Sequence, residues 1–129
     1  MSTKKRPTKA ELTRRFRDFL DACMCPIYID SGDIRVVEFA LPCSTPGVYV
    51  QLRRNGLVYV GQAVDILQRQ RQHLADGQKL WALGIYPIDI IDVKTRSAHE
   101  TMMIKRARLA GFELANVAKV KLSERVSDD

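Results

Sequence analysis

The first stretch of the chain places its apolar residues at helical spacing. These residues would share one face of a helix: Leu12, Phe16, Phe19, Leu20 and Cys23. Thr8 and Glu11 stand three residues apart, as in a capping box, and predict where the helix begins. Pro26 lies just beyond Cys23, so the helix is expected to end near that cysteine.

The middle of the chain changes to a strand-like pattern. Two runs there are rich in β-branched and aromatic residues, Gly47–Val50 and Val58–Gln62. The turn residues Arg54-Asn55-Gly56 lie between them, and glycine can supply the positive φ of a tight turn. The pattern therefore predicts a β-hairpin that carries one tyrosine on each strand and is followed by a helix.

Capping residues predict two further helices. Asp65 would cap a helix of about ten residues that ends before Gly77. Ser97 would open a second helix that runs to about Ala110, with Gly111 as its C-cap. Together with the first helix, these segments supply the cover that a small sheet needs.

The remaining apolar segments are assigned by composition. Residues 34–41 are expected to form a strand or a strand-like cover, and the β-branched residues 88–93 to form a third strand. Residues 78–86 are ambiguous, and residues 112–122 could hold a short strand or helix. The predicted fold class is α+β, with a central sheet of about three strands flanked by helices and an N-terminal helical extension.

Length and composition restrict the class of protein. A chain of 129 residues fits one domain with a modest core. No apolar run approaches the roughly 20 residues of a membrane span, and no apolar segment of a secretory signal follows the basic N-terminus. The three cysteines lack paired zinc spacing and favour reduced, buried thiols. We therefore expect an intracellular, cytoplasmic protein that does not act at a membrane.

The basic excess is concentrated at one end of the chain. The formal net charge is +6, and residues 1–17 hold seven basic residues against the single acid Glu11. The rest of the chain is balanced. Basic arms often contact nucleic acid phosphates, so Lys4, Lys5 and Arg6 are candidate substrate-binding residues. The alternative is a solvated tail that only aids solubility.

Arg69 and His73 stand four residues apart and so share one face of their predicted helix. Arg69 could pair with Asp65, four residues earlier, in an ordinary surface ion pair. It could instead bind two phosphate oxygens through its planar guanidinium. Arg71 would project from a different face, as a solvated charge or a weak phosphate contact. Spacing alone favours the surface pair for Arg69.

The hairpin resembles the signature of the GIY-YIG nuclease family. The two triplets are Gly47-Val48-Tyr49 and Tyr59-Val60-Gly61, with Val in place of Ile in both. Arg69 follows Tyr59 by ten residues, as the family's helical arginine does, and His73 stands one helical turn later. The resemblance covers about residues 46–117 and implies a nuclease domain over residues 43–122, between an N-terminal segment, 1–42, and a polar tail, 123–129.

The resemblance also implies roles for residues that composition leaves open. Tyr49 and Tyr59, otherwise readable as core aromatics, would belong to the active site. Glu100 matches the family's metal-binding glutamate, and its alternative role is to form a capping box with Ser97. Asn116 matches an asparagine that helps to order the site, and its alternative role is a turn or cap.

The function implied is hydrolysis of DNA phosphodiester bonds by a divalent-metal-dependent endonuclease. Glu100 would hold Mg²⁺, with Mn²⁺ as the alternative ion, and Arg69 would neutralise charge on the phosphate. Tyr49 would be the partner of the attacking water and a candidate general base, and Tyr59 and His73 would orient water or phosphate or share proton transfer. The alternative is a module of the same fold that binds DNA without cutting it.

Overall fold

The computed structural model describes residues 7–41, 44–89 and 91–116. In chain order their elements are α1 (Lys9–Ala22), β1 (Ile27–Ile29), α2 (Ile34–Ala40), β2 (Gly47–Arg53), β3 (Val58–Ala63), α3 (Ile66–Ala75), β4 (Leu80–Pro87) and α4 (Val93–Leu109). The four strands form one antiparallel sheet in the order β1-β4-β2-β3. Helices flank it, so the predicted α+β class is confirmed, with one strand more than expected.

The hairpin of β2 and β3 forms as predicted. Tyr49 of β2 pairs with Gly61 of β3, and Tyr59 of β3 pairs with Gln51 of β2. The two tyrosines are therefore offset by two residues along the paired strands. The turn between them contains Gly56 at a φ of 86°, a backbone conformation that residues other than glycine rarely adopt. The turn residue and the β-branched flanks thus specify the register that brings the two tyrosines to adjacent strands.

Alternation along β2 separates the two faces of the sheet. Val48, Val50 and Leu52 pack in a cluster with α1 and α4, whereas Tyr49 packs in a second cluster with α2 and α3. Successive residues of a strand point to opposite faces, which accounts for the division. The first cluster takes its helical side chains from Leu12, Phe16, Phe19, Leu20, Met103, Ile104 and Ala107.

Five of the predicted helix ends are confirmed. The hydroxyl of Thr8 accepts a hydrogen bond from the backbone N–H of Glu11 at 3.2 Å, and α1 ends at Ala22, beside Cys23. The carboxylate of Asp65 accepts from the N–H of Gln68 at 3.1 Å and caps α3. Both α3 and α4 are followed by a glycine with positive φ, 88° at Gly77 and 90° at Gly111.

The strand expected over residues 34–41 is wrong, because Ile34–Ala40 is helical. Asp33 caps this helix by accepting a hydrogen bond from the N–H of Arg35 at 2.9 Å. Val37 and Leu41, four residues apart, are its buried contacts with the core. The β-branched composition thus gave way to a cap and a helical spacing of the buried residues.

The strand expected over residues 88–93 is also wrong, and the ambiguous segment before it supplies the strand β4 instead. Asp89 forms a turn by accepting from the N–H of Ile91 at 3.2 Å. Asp92 then caps α4 by accepting from the N–H of Thr95 at 3.2 Å. Helix α4 consequently begins at Val93, one turn earlier than predicted.

The N-terminal segment contributes to the same sheet. Strand β1 pairs with β4, and α1 covers the sheet beside α4. Cys23 is buried and Cys25 half-buried, both as free thiols. Residues 1–6 and 117–129 lie outside the described residues, as do 42–43 and 90. Within the described part of the chain, no helix is long and apolar enough to cross a membrane.

Candidate active site

A cavity of about 350 Å³ opens beside the edge strand β3, next to the face that α3 covers. It brings together six residues from four elements and the segment after α4: Tyr49, Tyr59, Arg69, His73, Glu100 and Asn116. Backbone and side chains of β3 complete the wall at Val60, Gly61 and Gln62. Residues far apart in sequence thus face a single polar space.

Tyr49, Tyr59 and His73 form a cluster of three rings at the wall of this cavity. The hydroxyl of Tyr49 lies 3.0 Å from Nε2 of His73, within hydrogen-bonding distance. The ring of Tyr59 lies 5.3 Å from that of His73 and 6.0 Å from that of Tyr49, measured between centroids. The hydroxyl of Tyr49 and the imidazole can therefore exchange a proton directly.

Gly61 makes room for the Tyr49 hydroxyl. A Cβ atom at position 61 would collide with the hydroxyl and with the ring carbon that bears it. The two residues are register partners on neighbouring strands, so the pairing of β2 with β3 holds position 61 against the Tyr49 side chain. Glycine at this position is thus a steric requirement of the Tyr49–His73 contact.

The pKa values of the two hydrogen-bonded groups shift in directions that keep both neutral near pH 7. Burial raises the pKa of the Tyr49 hydroxyl, the nearby Tyr59 raises it further, and the charge of Arg69 only partly opposes this. Burial lowers the pKa of His73, and the charges of Arg53 and Arg69 lower it further. The deprotonated form of Tyr49 is therefore disfavoured, and the neutral imidazole of His73 is available as a proton acceptor.

Arg69 projects from α3 at the mouth of the cavity and is exposed. In the described ranges its guanidinium forms no ion pair, and Asp65 acts as the cap of α3. The surface pair with Asp65 is therefore not formed. Arg71, in contrast, donates to Glu38 of α2 at 3.0 and 3.1 Å and does not line the cavity.

Glu100 lies two turns inside α4, with only 1% of its surface exposed. The capping box that was the alternative role of Ser97 and Glu100 is not formed, because Asp92 caps the helix one turn earlier. Ser97 accepts instead from the side-chain amide of Gln62 at 3.1 Å. Glu100 is consequently not a cap, and its carboxylate lines the cavity from the α4 side.

The donor set at the cavity fits one kind of metal ion better than others. Glu100 is the only carboxylate among the described residues that line the space. Nowhere in residues 7–41, 44–89 and 91–116 do three His, Cys, Asp or Glu side chains converge as a protein-made metal cage. One carboxylate beside an open space suits a hydrated Mg²⁺ that takes its other ligands from water and phosphate.

Asn116 is buried and fixes the edge strand. Its side-chain oxygen accepts from the N–H of Val60 at 2.8 Å, and its amide nitrogen donates to the carbonyl of Val60 at 2.6 Å. The two bonds replace those that a further strand would make. Asn116 thus holds β3 in position between Tyr59 and Gly61.

Sequence reasoning missed a polar network under the tyrosines. The side-chain amide of Gln51 donates to Gln70 at 2.7 Å, and both residues are fully buried. Nε of Arg53 donates to the side-chain oxygen of Gln51 at 3.2 Å, and the guanidinium carbon lies 4.6 Å from the centroid of the Tyr59 ring. Strand alternation could have placed Gln51 and Arg53 on the tyrosine face.

The expected phosphate-binding arm cannot be placed, since Lys4, Lys5 and Arg6 lie outside the described residues. Comparisons with protein-family models, with curated protein sequences and with solved structures find no match to this chain. The geometry of the cavity and the spacing of its residues are therefore what any assignment of function must rest on.

Proposed function

We propose that this protein is a GIY-YIG-type endonuclease that hydrolyses DNA phosphodiester bonds with a divalent cation. The observation that carries the proposal is the convergence of six polar residues on one cavity of about 350 Å³. The motif resemblance selects the same six. A phosphate group needs cationic donors and an activated water, and the cavity holds candidates for both.

Arg69 serves as the phosphate-binding cation. It is exposed at the mouth of the cavity and makes no ion pair with any described residue. Its planar guanidinium can donate to two phosphate oxygens at once and neutralise the charge that grows as the bond is attacked. Tyr59, beside it in the cavity, offers a hydroxyl to orient water or phosphate.

Tyr49 and His73 move the proton of the attacking water. The water proton passes to the Tyr49 oxygen while the Tyr49 hydroxyl proton passes to Nε2 of His73, 3.0 Å away. Tyr49 ends neutral and His73 ends protonated, so a free tyrosinate never accumulates. This route agrees with the raised pKa of Tyr49 and the lowered pKa of His73.

Glu100 holds the divalent cation, which supplies additional positive charge at the phosphate when bound. Its position inside α4 fixes the carboxylate relative to the strand that bears Tyr59 and Gly61. Asn116 maintains that relation from the other side, through its two bonds to Val60. The basic arm, Lys4 to Arg6, adds affinity for the DNA backbone.

Cleavage assays test the proposal directly. The protein is incubated with supercoiled, linear and single-stranded DNA, in Mg²⁺ or in EDTA, and products are resolved on a gel. We expect metal-dependent cleavage of at least one substrate. The matched control is Tyr49→Phe, which keeps the ring and its packing but removes the hydroxyl that reaches His73.

The outcomes separate the two candidate functions. Cleavage by the parent that is lost in Tyr49→Phe, with DNA affinity unchanged, supports the endonuclease. Salt-sensitive binding without product in any metal contradicts it and favours a catalytically silent DNA-binding module. Cleavage that persists at the parental rate in Tyr49→Phe would leave a nuclease but refute the role of Tyr49.

A further inference from the structure

Arg53 lies at the tyrosine face, where its charge lowers the pKa of His73, but it has no assigned contact with the substrate. It lies on β2 four residues after Tyr49, about 13 Å along the strand at about 3.3 Å per residue. It does not line the cavity that holds Tyr49 and Arg69. Its guanidinium lies over the ring of Tyr59, on the side of the site towards the hairpin turn.

The fold holds this guanidinium in one orientation. Gln70 of α3 accepts from Gln51, and Gln51 accepts from Nε of Arg53, so two fully buried amides connect the helix to the arginine. Arg53 is half-buried, and this burial lowers the pKa of its guanidinium. No carboxylate among the described residues pairs with it. A desolvated cation without a counter-ion favours an anionic ligand.

Two other arginines, which lie outside the cavity, differ from Arg53 because each forms an ion pair with a carboxylate. Arg35 pairs with Asp33 at 2.9 Å and Arg71 with Glu38 at 3.0 Å. Arg53 and Arg69, which flank the tyrosines, form no such pair with any residue described here. We propose that Arg53 binds a second phosphate of the DNA backbone, distinct from the phosphate that is cleaved.

This inference rests on the proposed function, because it names a second contact with the same substrate. Nε is held by Gln51, so the terminal nitrogens of Arg53 face the ligand. The proposal requires that a DNA backbone with one phosphate in the cavity runs along the sheet towards the hairpin turn, so that another of its phosphates lies over Tyr59. Two separate guanidinium contacts would fix both the position and the direction of the strand.

Salt-dependent binding tests Arg53 without requiring cleavage. Affinity for a fluorescent DNA duplex is measured by anisotropy in EDTA at several salt concentrations, for the parent, Arg53→Gln and the control Arg35→Gln. Both variants lose one charge, but Arg35 is already paired and lies outside the site. We expect the slope of log affinity against log salt to become shallower by about 0.9 in Arg53→Gln and to stay unchanged in Arg35→Gln.

A spectroscopic measurement covers the case in which Arg53→Gln does not fold. The Nε–H signal of Arg53 in the parent protein is assigned by its loss in Arg53→Lys, and DNA is then added in EDTA. A change in the chemical shift of that signal supports the phosphate contact, and an unchanged chemical shift at saturating DNA overturns it.

The two proposals fail in distinguishable ways. Metal-dependent cleavage by the parent, with equal slopes in all three proteins, overturns the Arg53 contact and leaves the nuclease intact. Absence of cleavage, with a shallower slope only in Arg53→Gln, overturns the nuclease and supports the contact. A parent protein that binds no DNA overturns both.

Discussion

The two faces of the sheet use alternate residues of the same strands in different ways. On the side of α1 and α4, Val48, Val50 and Leu52 are fully or almost fully buried among apolar side chains. On the side of α3, Tyr49 and Gln51 are equally buried but make hydrogen bonds to His73 and Gln70. The first face gains its stability from apolar burial, and the second must also satisfy polar groups.

The difference teaches where substitutions should separate stability from function. A large-to-small change on the apolar face removes buried apolar surface and leaves a cavity, so it should lower the free energy of unfolding. A change of a hydroxyl or a charge on the polar face removes little buried surface and should affect chemistry. Glu100 is the exception, since α4, a helix of the apolar face, supplies it to the cavity.

The largest expected effect comes from Glu100→Gln, which tests that exception. The variant keeps the shape of the side chain and removes the charge proposed to bind the cation. We expect a folded protein that binds DNA and whose turnover in Mg²⁺ falls by at least about 100-fold. Cleavage at the parental rate would refute the cation-binding role of Glu100 and leave α4 with a purely structural role.

Arg69→Lys should produce the next largest effect, and Val50→Ala is its counterpart on the apolar face. Lysine keeps the charge but loses the planar fork, so turnover should fall roughly 10- to 100-fold with little change in melting temperature. Val50→Ala should lower the free energy of unfolding by about 2 kcal/mol and leave turnover per folded molecule unchanged. A loss of stability without loss of turnover in Arg69→Lys, together with a loss of turnover per folded molecule in Val50→Ala, would show that stability and activity are not separated between the two faces.

The third prediction concerns acid, because His73 must be neutral to accept a proton. Its pKa is lowered by burial and by Arg53 and Arg69, so the rate should stay constant down to about pH 6.5 and fall only below it. The folded form of this histidine binds a proton less readily than the unfolded form. Its contribution therefore lowers the free energy of unfolding as the pH falls below about 6.5.

Two variants isolate this acidic limb in a plot of rate against pH. His73→Gln should be slow and should lose the limb, while His99→Gln should retain it, because His99 does not line the cavity. The chain holds two histidines, so their NMR titration curves can be assigned with the same pair of variants. A limb that follows His99 would refute the proton route.

The smallest expected effect comes from the basic arm, which directly precedes α1 in the sequence. Deleting residues 1–7 removes Lys4, Lys5 and Arg6 but leaves the apolar face of α1 intact. The salt slope of DNA binding should become shallower by about 0.9 for each phosphate that the arm binds in the parent, and turnover on bound DNA should survive. An unchanged slope would mean that the sheet and helices hold DNA without the arm.

The parts of the fold that sequence can predict depend on local signals. The turn at Gly56 and the cap at Asp65 are short-range features, and both form as expected. Residues 34–41 contradict their β-branched composition because the cap at Asp33 favours a helix there. Pairing between β1 and β4 brings distant segments together, and no short-range pattern records it.

The candidate site shows a similar division. Helical spacing places Arg69 and His73 on one face, and the motif resemblance adds Tyr49, Tyr59, Glu100 and Asn116. The pairing of Gln51 with Gln70 could not be predicted, because a buried amide pair has no distinctive spacing and forms only where the strand and helix meet. The signal that could have identified Arg53 was its place in the alternation of β2.

The way in which the sheet ends also bears on how the protein behaves at high concentration. At one border, β1 is only three residues long. At the other, Glu113 and Ala115 bond to Val58, and Asn116 bonds to Val60. A second copy of the chain therefore meets few unsatisfied amides and carbonyls on which to extend the sheet. Asn116→Ala should accordingly promote strand-mediated aggregation.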